Sequence, residues 1–162
     1  MSEIVTCDIV DANRASGRIQ SCAIQFKQFG GRLSFAGPVR TLKTDEDNAL
    51  IKQPLSTPGQ GAVLVVDGGG SLRTALVGDV IAGLAVTNVW AGLILWGAVR
   101  DSVALKTLPV GIKALGTNPW TSRKDGAGQL DVPVRFGDVS FAPGNWVYSD
   151  EDGLIVADGK LE

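Results

Sequence analysis

Histidine is absent from the 162 residues, and there are only two cysteines, one methionine and one tyrosine. The first absence removes the commonest general base and the commonest transition-metal ligand. Chemistry must then rest on carboxylates, lysine, arginine, tyrosine, hydroxyls, backbone amides or a metal held by oxygen. An oxygen-only site suits Mg²⁺ or Mn²⁺ rather than Zn²⁺. Cys7 and Cys22 make neither a metal-type pair nor a disulfide framework, so a reduced, cytoplasmic protein is expected. Long apolar runs are missing too. Ala62 to Val66 and Leu93 to Trp96 are far too short to span a bilayer, the opening MSEIVTCDIVDAN lacks a signal-peptide pattern, and no membrane association is expected. Nor is there an excess of positive charge: 15 basic residues face 17 acidic ones, for a net charge of −2 and a pI near 5.1. Recognition of a phosphate backbone needs a basic face that releases counterions. The balance therefore argues against direct nucleic-acid binding, while leaving room for an acidic surface that docks on a basic protein.

The sequence is 44% hydrophobic and 20% charged, which fits one globular domain over residues 1–162. Residues 6–13 read as a short helix with Thr6 as N-cap. Arg32 to Arg40 reads as a strand with a turn at Gly37-Pro38. Asp45, Asp47 and Asn48 before Ala49-Leu50-Ile51 mark a helix start. The middle then alternates. Ala62 to Val66, Leu93 to Trp96 and Ile112 to Leu115 are continuous apolar runs of the kind found in buried parallel strands. Asp79 to Val89 carries an apolar stripe at helical spacing, and Ser102 to Leu108 reads as a shorter helix. Strand, helix, strand, helix, strand predicts an α/β layer. Near the end, Val132-Val134-Phe136 and Val139-Phe141 alternate with polar residues. Trp146 to Tyr148 and Leu154 to Val156 flank the turn Asp150-Glu151-Asp152-Gly153, so a β-meander closing in a hairpin is expected.

Two segments concentrate polar groups. Gly78-Asp79-Val80-Ile81 lies at the expected start of a helix, where free N–H groups favour a carboxylate or phosphate. Gly97-Ala98-Val99-Arg100-Asp101 follows a strand of the α/β layer, at the edge where ligands of open sheets collect. Arg100 offers a planar fork for an oxyanion, and Asp101 a hard oxygen for a divalent cation. On composition alone, an isolated Arg-Asp pair reads as a surface pair and Asp79 as a helix cap. The run Asp67-Gly68-Gly69-Gly70-Ser71 lacks nucleotide-loop spacing and reads as a turn. Trp90 and Trp96 read as core or interface aromatics, and Trp120, in a polar stretch, as a subunit contact.

Gly30-Gly31-Arg32, Asp47-Asn48, Val65 to Arg73 (VVDGGGSLR), Gly97 to Asp101 (GAVRD) and Asp150 to Gly153 (DEDG) resemble the RraA-like family. That family includes the regulator of ribonuclease activity A and the class II 4-hydroxy-4-methyl-2-oxoglutarate aldolases. By motif order the resemblance runs from about residue 6 to residue 156. Catalytic members carry an aspartate, twenty residues, then Arg-Asp. Here Asp79 is followed by residues 80–99 and then Arg100-Asp101. The resemblance implies that Gly78, Asp79, Val80 and Ile81 contact substrate, partly through amides. It implies that Arg100 binds substrate, that Asp101 holds Mg²⁺ or Mn²⁺, and that Asp79, Arg100 and Asp101 form the catalytic set. It also implies an α/β/β sandwich, swivelling-domain-like, in a ring-shaped homotrimer with sites between subunits. One departure is Ala104, where aldolases often carry an acidic residue.

The activity so implied is metal-dependent cleavage of a 2-oxo acid: aldol cleavage of 4-hydroxy-4-methyl-2-oxoglutarate to pyruvate, or decarboxylation of oxaloacetate. A Schiff-base route would need a buried lysine of depressed pKa, and no lysine is expected inside an apolar strand. The alternative is a non-catalytic regulator that binds and inhibits a ribonuclease of the E type. A methyltransferase using the glycine run has weak support.

Overall fold

Apolar runs covered on both faces become the central strands, and the alternating C-terminal segments become a second β layer. The computed structural model describes residues 3–162. In chain order the elements are α1 (Thr6–Asn13), β1 (Ile19–Ser21), β2 (Lys27–Gln28), β3 (Phe35–Lys43), α2 (Ala49–Leu55), β4 (Val63–Asp67), β5 (Ala75–Val77) and α3 (Asp79–Thr87). They continue with β6 (Gly92–Val99), α4 (Ser102–Leu105), β7 (Gly111–Thr117), β8 (Gln129–Leu130), β9 (Val134–Phe136), β10 (Val139–Phe141), β11 (Trp146–Asp150) and β12 (Gly153–Ala157).

Parallel pairings β3–β4, β4–β6 and β6–β7 build the centre, with α2, α3 and α4 in the connections that parallel strands require. All five residues of β4 are buried. One face of these strands, with Leu42, Leu64, Leu93, Leu95 and Ile112, packs with Ile51 and Leu55 of α2 and Ala82 and Ala85 of α3. The other face, with Val63, Val65 and Ile94, packs on Phe136, Phe141, Val147 and Val156. The layers are therefore helix, sheet, sheet, as expected. Each fully buried aliphatic side chain in these cores contributes about 1.5–3 kcal/mol.

β3 joins the two β layers. Its residues 35–38 pair antiparallel with β11, and its residues 39–43 pair parallel with β4. The expected turn at Gly37-Pro38 is therefore not a turn; the strand runs through it. A Cβ at Gly37 would overlap the Gly61 carbonyl oxygen, so glycine lets the two backbones close where the strand changes partners.

Three further expectations are corrected. Thr6 does not cap α1; it is the first helical residue after Val5, and its N–H and Oγ1 both donate to the Asp150 carboxylate at 2.7 Å. The helix expected over 102–108 closes after one turn. A lysine does sit in an apolar strand: Lys113, between Ile112 and Ala114 of β7, is only 2% exposed. Its Nζ donates to the Asp150 carbonyl at 2.8 Å, and Gln28, opposite it across the β2–β7 pairing, donates to the same oxygen at 3.0 Å. Burial pushes the Lys113 pKa down, while the Asp150 carboxylate pulls it up by less. No described helix is long and apolar enough to cross a membrane.

Candidate active site

The short strand β5, which the sequence did not reveal, assembles the site. It pairs in parallel with the end of β6 (Ala75 with Ala98, Val77 with Val99), and the Arg100 N–H donates to the Val77 carbonyl at 2.9 Å. Each strand then leaves the sheet at the same edge, one into Gly78-Asp79 and α3, the other into Arg100-Asp101 and α4. Two segments distant in sequence are thus side by side.

Gly78 is the N-cap of α3 in an extended conformation and offers no side-chain cap. A Cβ there would lie 2.6 Å from Asp101 Oδ2 and 3.1 Å from Arg100 Cγ, so the absent side chain is what admits the Arg-Asp pair. Asp101 adopts the left-handed conformation (φ 58°), which aspartate tolerates better than most residues. Its Oδ2 accepts the Asp79 N–H at 3.0 Å. The expectation of a free amide at Asp79 is therefore corrected, because that donor is held by Asp101. The N–H groups of Val80 and Ile81 have no partner among the described residues, as the first turn of a helix leaves them. Arg100 Nε is buried with no acceptor; Asp101 Oδ1 lies 4.0 Å away. Leaving such a donor unpaired costs about 1–3 kcal/mol, although the Arg100 side chain as a whole is 38% exposed.

All six residues singled out from the sequence, Gly78, Asp79, Val80, Ile81, Arg100 and Asp101, line one cavity of about 630 Å³, a volume in the range of small-molecule sites. The sequence reading missed the rest of the wall: Asn48, Ala49 and Lys52 of the α2 start, and Ala75, Thr121 and Lys124. Of these, Asn48 and Ala49 carried a signal only as part of a helix start, Asn48 also in the Asp47-Asn48 motif. Lys52, Arg100 and Lys124 outnumber Asp79 and Asp101 around the cavity, so its field favours an anionic ligand. Arg100 and Asp101 also border a second cavity of about 230 Å³ with Ser102, Thr117, Asn118 and Pro119.

No group of three or more Cys, Asp or Glu side chains is placed to hold a metal among the described residues. The oxygen donors on the wall, Asp101 and Asp79, fit a hard cation that keeps water in its shell and takes further oxygens from a ligand, as Mg²⁺ does. Lys113 is not among the residues lining this cavity, and its buried amine bonds to the hairpin turn instead.

The family model described as RraA-like (Aldolase/RraA) matches residues 6–156. Among solved structures, the RNA-processing inhibitor RraA from Thermus thermophilis is 43% identical, with 99% of this chain and 96% of that one covered and a TM-score of 0.94. A Geobacillus kaustophilus HTA426 protein, described as S-adenosylmethionine: 2-dimethylmenaquinone methyltransferase, is 42% identical over 98% and 97% of the two chains, with a TM-score of 0.95. Streptomyces coelicolor RraAS2, described as an unusual member of the RNase ES inhibitor RraA protein family, is 30% identical over 95% and 80%, with a TM-score of 0.76.

Proposed function

The chain belongs to the RraA-like family, and from that premise we propose that it is a divalent-metal-dependent lyase acting on 2-oxo acids, cleaving 4-hydroxy-4-methyl-2-oxoglutarate to pyruvate or decarboxylating oxaloacetate. The observation that carries this reading is the convergence, in one cavity, of free helix-start amides, the Arg100 side chain and the Asp101 carboxylate.

In this mechanism the Val80 and Ile81 amides receive the carboxylate next to the keto group. Arg100, whose side chain is partly exposed, directs its guanidinium at the keto oxygen, where charge develops as the C3–C4 bonding pair becomes the enolate of pyruvate. Water takes the C4-hydroxyl proton in the aldol cleavage, carbon dioxide leaves in the decarboxylation, and water returns a proton to C3 in both. Asp101, fixed by the Asp79 amide, holds Mg²⁺ or Mn²⁺. The cation supplies Lewis-acid polarisation of the keto acid when bound, worth several kcal/mol. The Asp79 side chain positions water or Arg100. Lys113 takes no part in the proposed reaction.

The test is pyruvate release from both substrates with and without Mg²⁺. Wild type should turn over only with metal. Asp101→Asn keeps a residue tolerant of the left-handed backbone and should abolish that turnover without unfolding the protein. An inactive wild type, or an unimpaired Asp101→Asn, would remove the proposal.

We extend the reading to a cytoplasmic homotrimer without direct nucleic-acid contact. Trp120 is 73% exposed and Leu72 49% exposed, and Asn118 bridges them, accepting the Trp120 N–H and donating to the Leu72 carbonyl. An exposed apolar pair of this kind suits a subunit contact.

A second reading, a ribonuclease-binding regulator, is favoured by the inhibitor names of the Thermus and Streptomyces relatives. Titration of an E-type ribonuclease beside the lyase assay separates the two readings. Tight binding by a protein inactive with metal favours regulation. Methyl transfer finds no support in the fold. Gly68-Gly69-Gly70 forms a turn with Gly69 and Gly70 left-handed, Gly70 packs near Trp96, and none of the three lines the cavity. Calorimetry with S-adenosylmethionine should give no heat.

A further inference from the structure

The cavity wall opposite in sequence to the Gly78 and Arg100 segments is held together by a side chain that never reaches the cavity. Asp47 is fully buried and has no cation against it among the described residues. Its carboxylate instead gathers four backbone donors. Oδ1 accepts from Ala49 at 3.0 Å and Gly126 at 3.2 Å, and Oδ2 from Asp125 at 2.8 Å and Ala127 at 3.4 Å. Main-chain bonds flank this clasp: Asn48 N–H to the Arg123 carbonyl at 3.0 Å and Arg123 N–H to the Glu46 carbonyl at 2.9 Å. Residues 121–127 belong to no helix or strand of the fold. Ser122 Oγ donates to the Ala75 carbonyl at 2.7 Å and Thr44 Oγ1 to the Ala127 carbonyl at 2.9 Å, and the Asp47 bonds to Asp125, Gly126 and Ala127 fix the stretch just after Lys124. Both clasped pieces supply cavity wall, Lys52 from α2 and Lys124 from the segment. Neither lysine has an ion-pair partner among the described residues.

We infer that Asp47 is a positioning residue that clasps segment 121–127 to the start of α2 and so sets Lys124 to receive the distal carboxylate of a dianionic 2-oxo acid. The inference rests on the lyase reading for the class of ligand, but its test needs no turnover. Burial alone would raise the Asp47 pKa, yet the four amides outweigh it and keep the group ionised. An amide at this position would turn an N–H against backbone donors and loosen the clasp.

The experiment is calorimetric titration of the Mg²⁺-loaded protein with 2-oxoglutarate and, separately, pyruvate. In wild type the dianion should bind about tenfold tighter, the effect of one well-placed charge contact. Lys124→Ala, an exposed change that leaves the clasp intact, should reduce that preference to within about twofold while sparing pyruvate affinity. Asp47→Asn should do the same, and the double variant should match Lys124→Ala alone, because additivity fails for residues acting through one contact. The inference is overturned if wild type shows no dianion preference or binds neither acid, if Lys124→Ala leaves the preference intact, or if Asp47→Asn weakens both acids equally. Absence of lyase turnover with an intact, clasp-dependent preference would instead remove only the reaction.

Discussion

Replacing Gly78 by alanine isolates the geometry on which the site depends. The backbone at Gly78 is extended (φ −121°), so alanine adopts it without strain. The new Cβ, however, would sit 2.6 Å from Asp101 Oδ2 where ordinary contact begins at 3.4 Å, so the carboxylate must shift by about 0.8 Å. The shift costs the Asp79 N–H bond to that oxygen. A hydrogen bond to a charged group contributes about 1.5–3 kcal/mol, less at a partly exposed position such as this one. Loss of glycine's freedom in the unfolded chain returns about 0.4–1 kcal/mol. The net destabilisation is on the order of 1 kcal/mol, or a fall in Tm of about 2–4 °C for a chain of this size. Activity should suffer far more, because a misplacement near 1 Å can cost about 100-fold. Pyruvate release from oxaloacetate with Mg²⁺, corrected for the uncatalysed reaction, and thermal melting followed by circular dichroism give the two numbers. Near-normal turnover with a normal Tm would show that the contact between Gly78 and Asp101 does not set the catalytic geometry. A collapse of Tm alongside activity would show that glycine is required for folding instead.

Asp47 and Asp150 should set the acid limit of stability. Burial raises each carboxyl's pKa, but hydrogen bonds from Ala49, Asp125, Gly126 and Ala127 to Asp47, and from Thr6, Asp152 and Gly153 to Asp150, bring both below the ordinary value. A depressed folded pKa gives stability that is present above the unfolded pKa, about 3.9, and is lost as pH falls through the folded value. Melting temperatures between pH 7 and pH 3 should therefore drop most below about pH 4, and the drop should be smaller in Asp47→Asn; an unchanged acid limb in that variant refutes the assignment. Lys113→Met replaces a buried amine whose pKa burial lowers, and Gln28 still donates to the Asp150 carbonyl. Its stability should lie within about 1 kcal/mol of wild type or above it, whereas Lys113→Ala should lose roughly 2 kcal/mol or more to the cavity left behind; denaturant melts that rank the two alike contradict this. Trp120→Glu should convert the proposed trimer to single chains in analytical ultracentrifugation with the far-ultraviolet spectrum unchanged. Wild type sedimenting as one chain, or an intact trimer in the variant, defeats that contact.

Local chemistry made much of this protein legible from its sequence. Continuous apolar runs around Val65, Ile94 and Ile112 could only be satisfied in strands covered on both faces, which dictated the parallel layer. The resemblance to the RraA-like family, together with the polar groups at an expected helix start and strand end, singled out Gly78 to Ile81, Arg100 and Asp101, and all six line the cavity. The absence of histidine and of a metal-type cysteine pair pointed any metal towards oxygen donors. What remained hidden depended on partners far away in the chain. β5 is three residues long, too short for a periodic signal, yet its pairing with β6 brings Gly78 to Arg100. Gly37-Pro38 carries the composition of a turn, and only its pairing with β11, more than a hundred residues later, makes it a strand. Lys113 is charged in any local reading and becomes a core residue because β2 and the Asp150 carbonyl meet it. Asp47 looked like part of a helix start, but three of its four hydrogen bonds come from residues 78 to 80 positions later. Short-range pattern determines which residues must be buried and which can cap or turn. Contacts between distant segments are set by packing of the whole chain, and they decided which amides, carboxylates and cations face one another across the cavity.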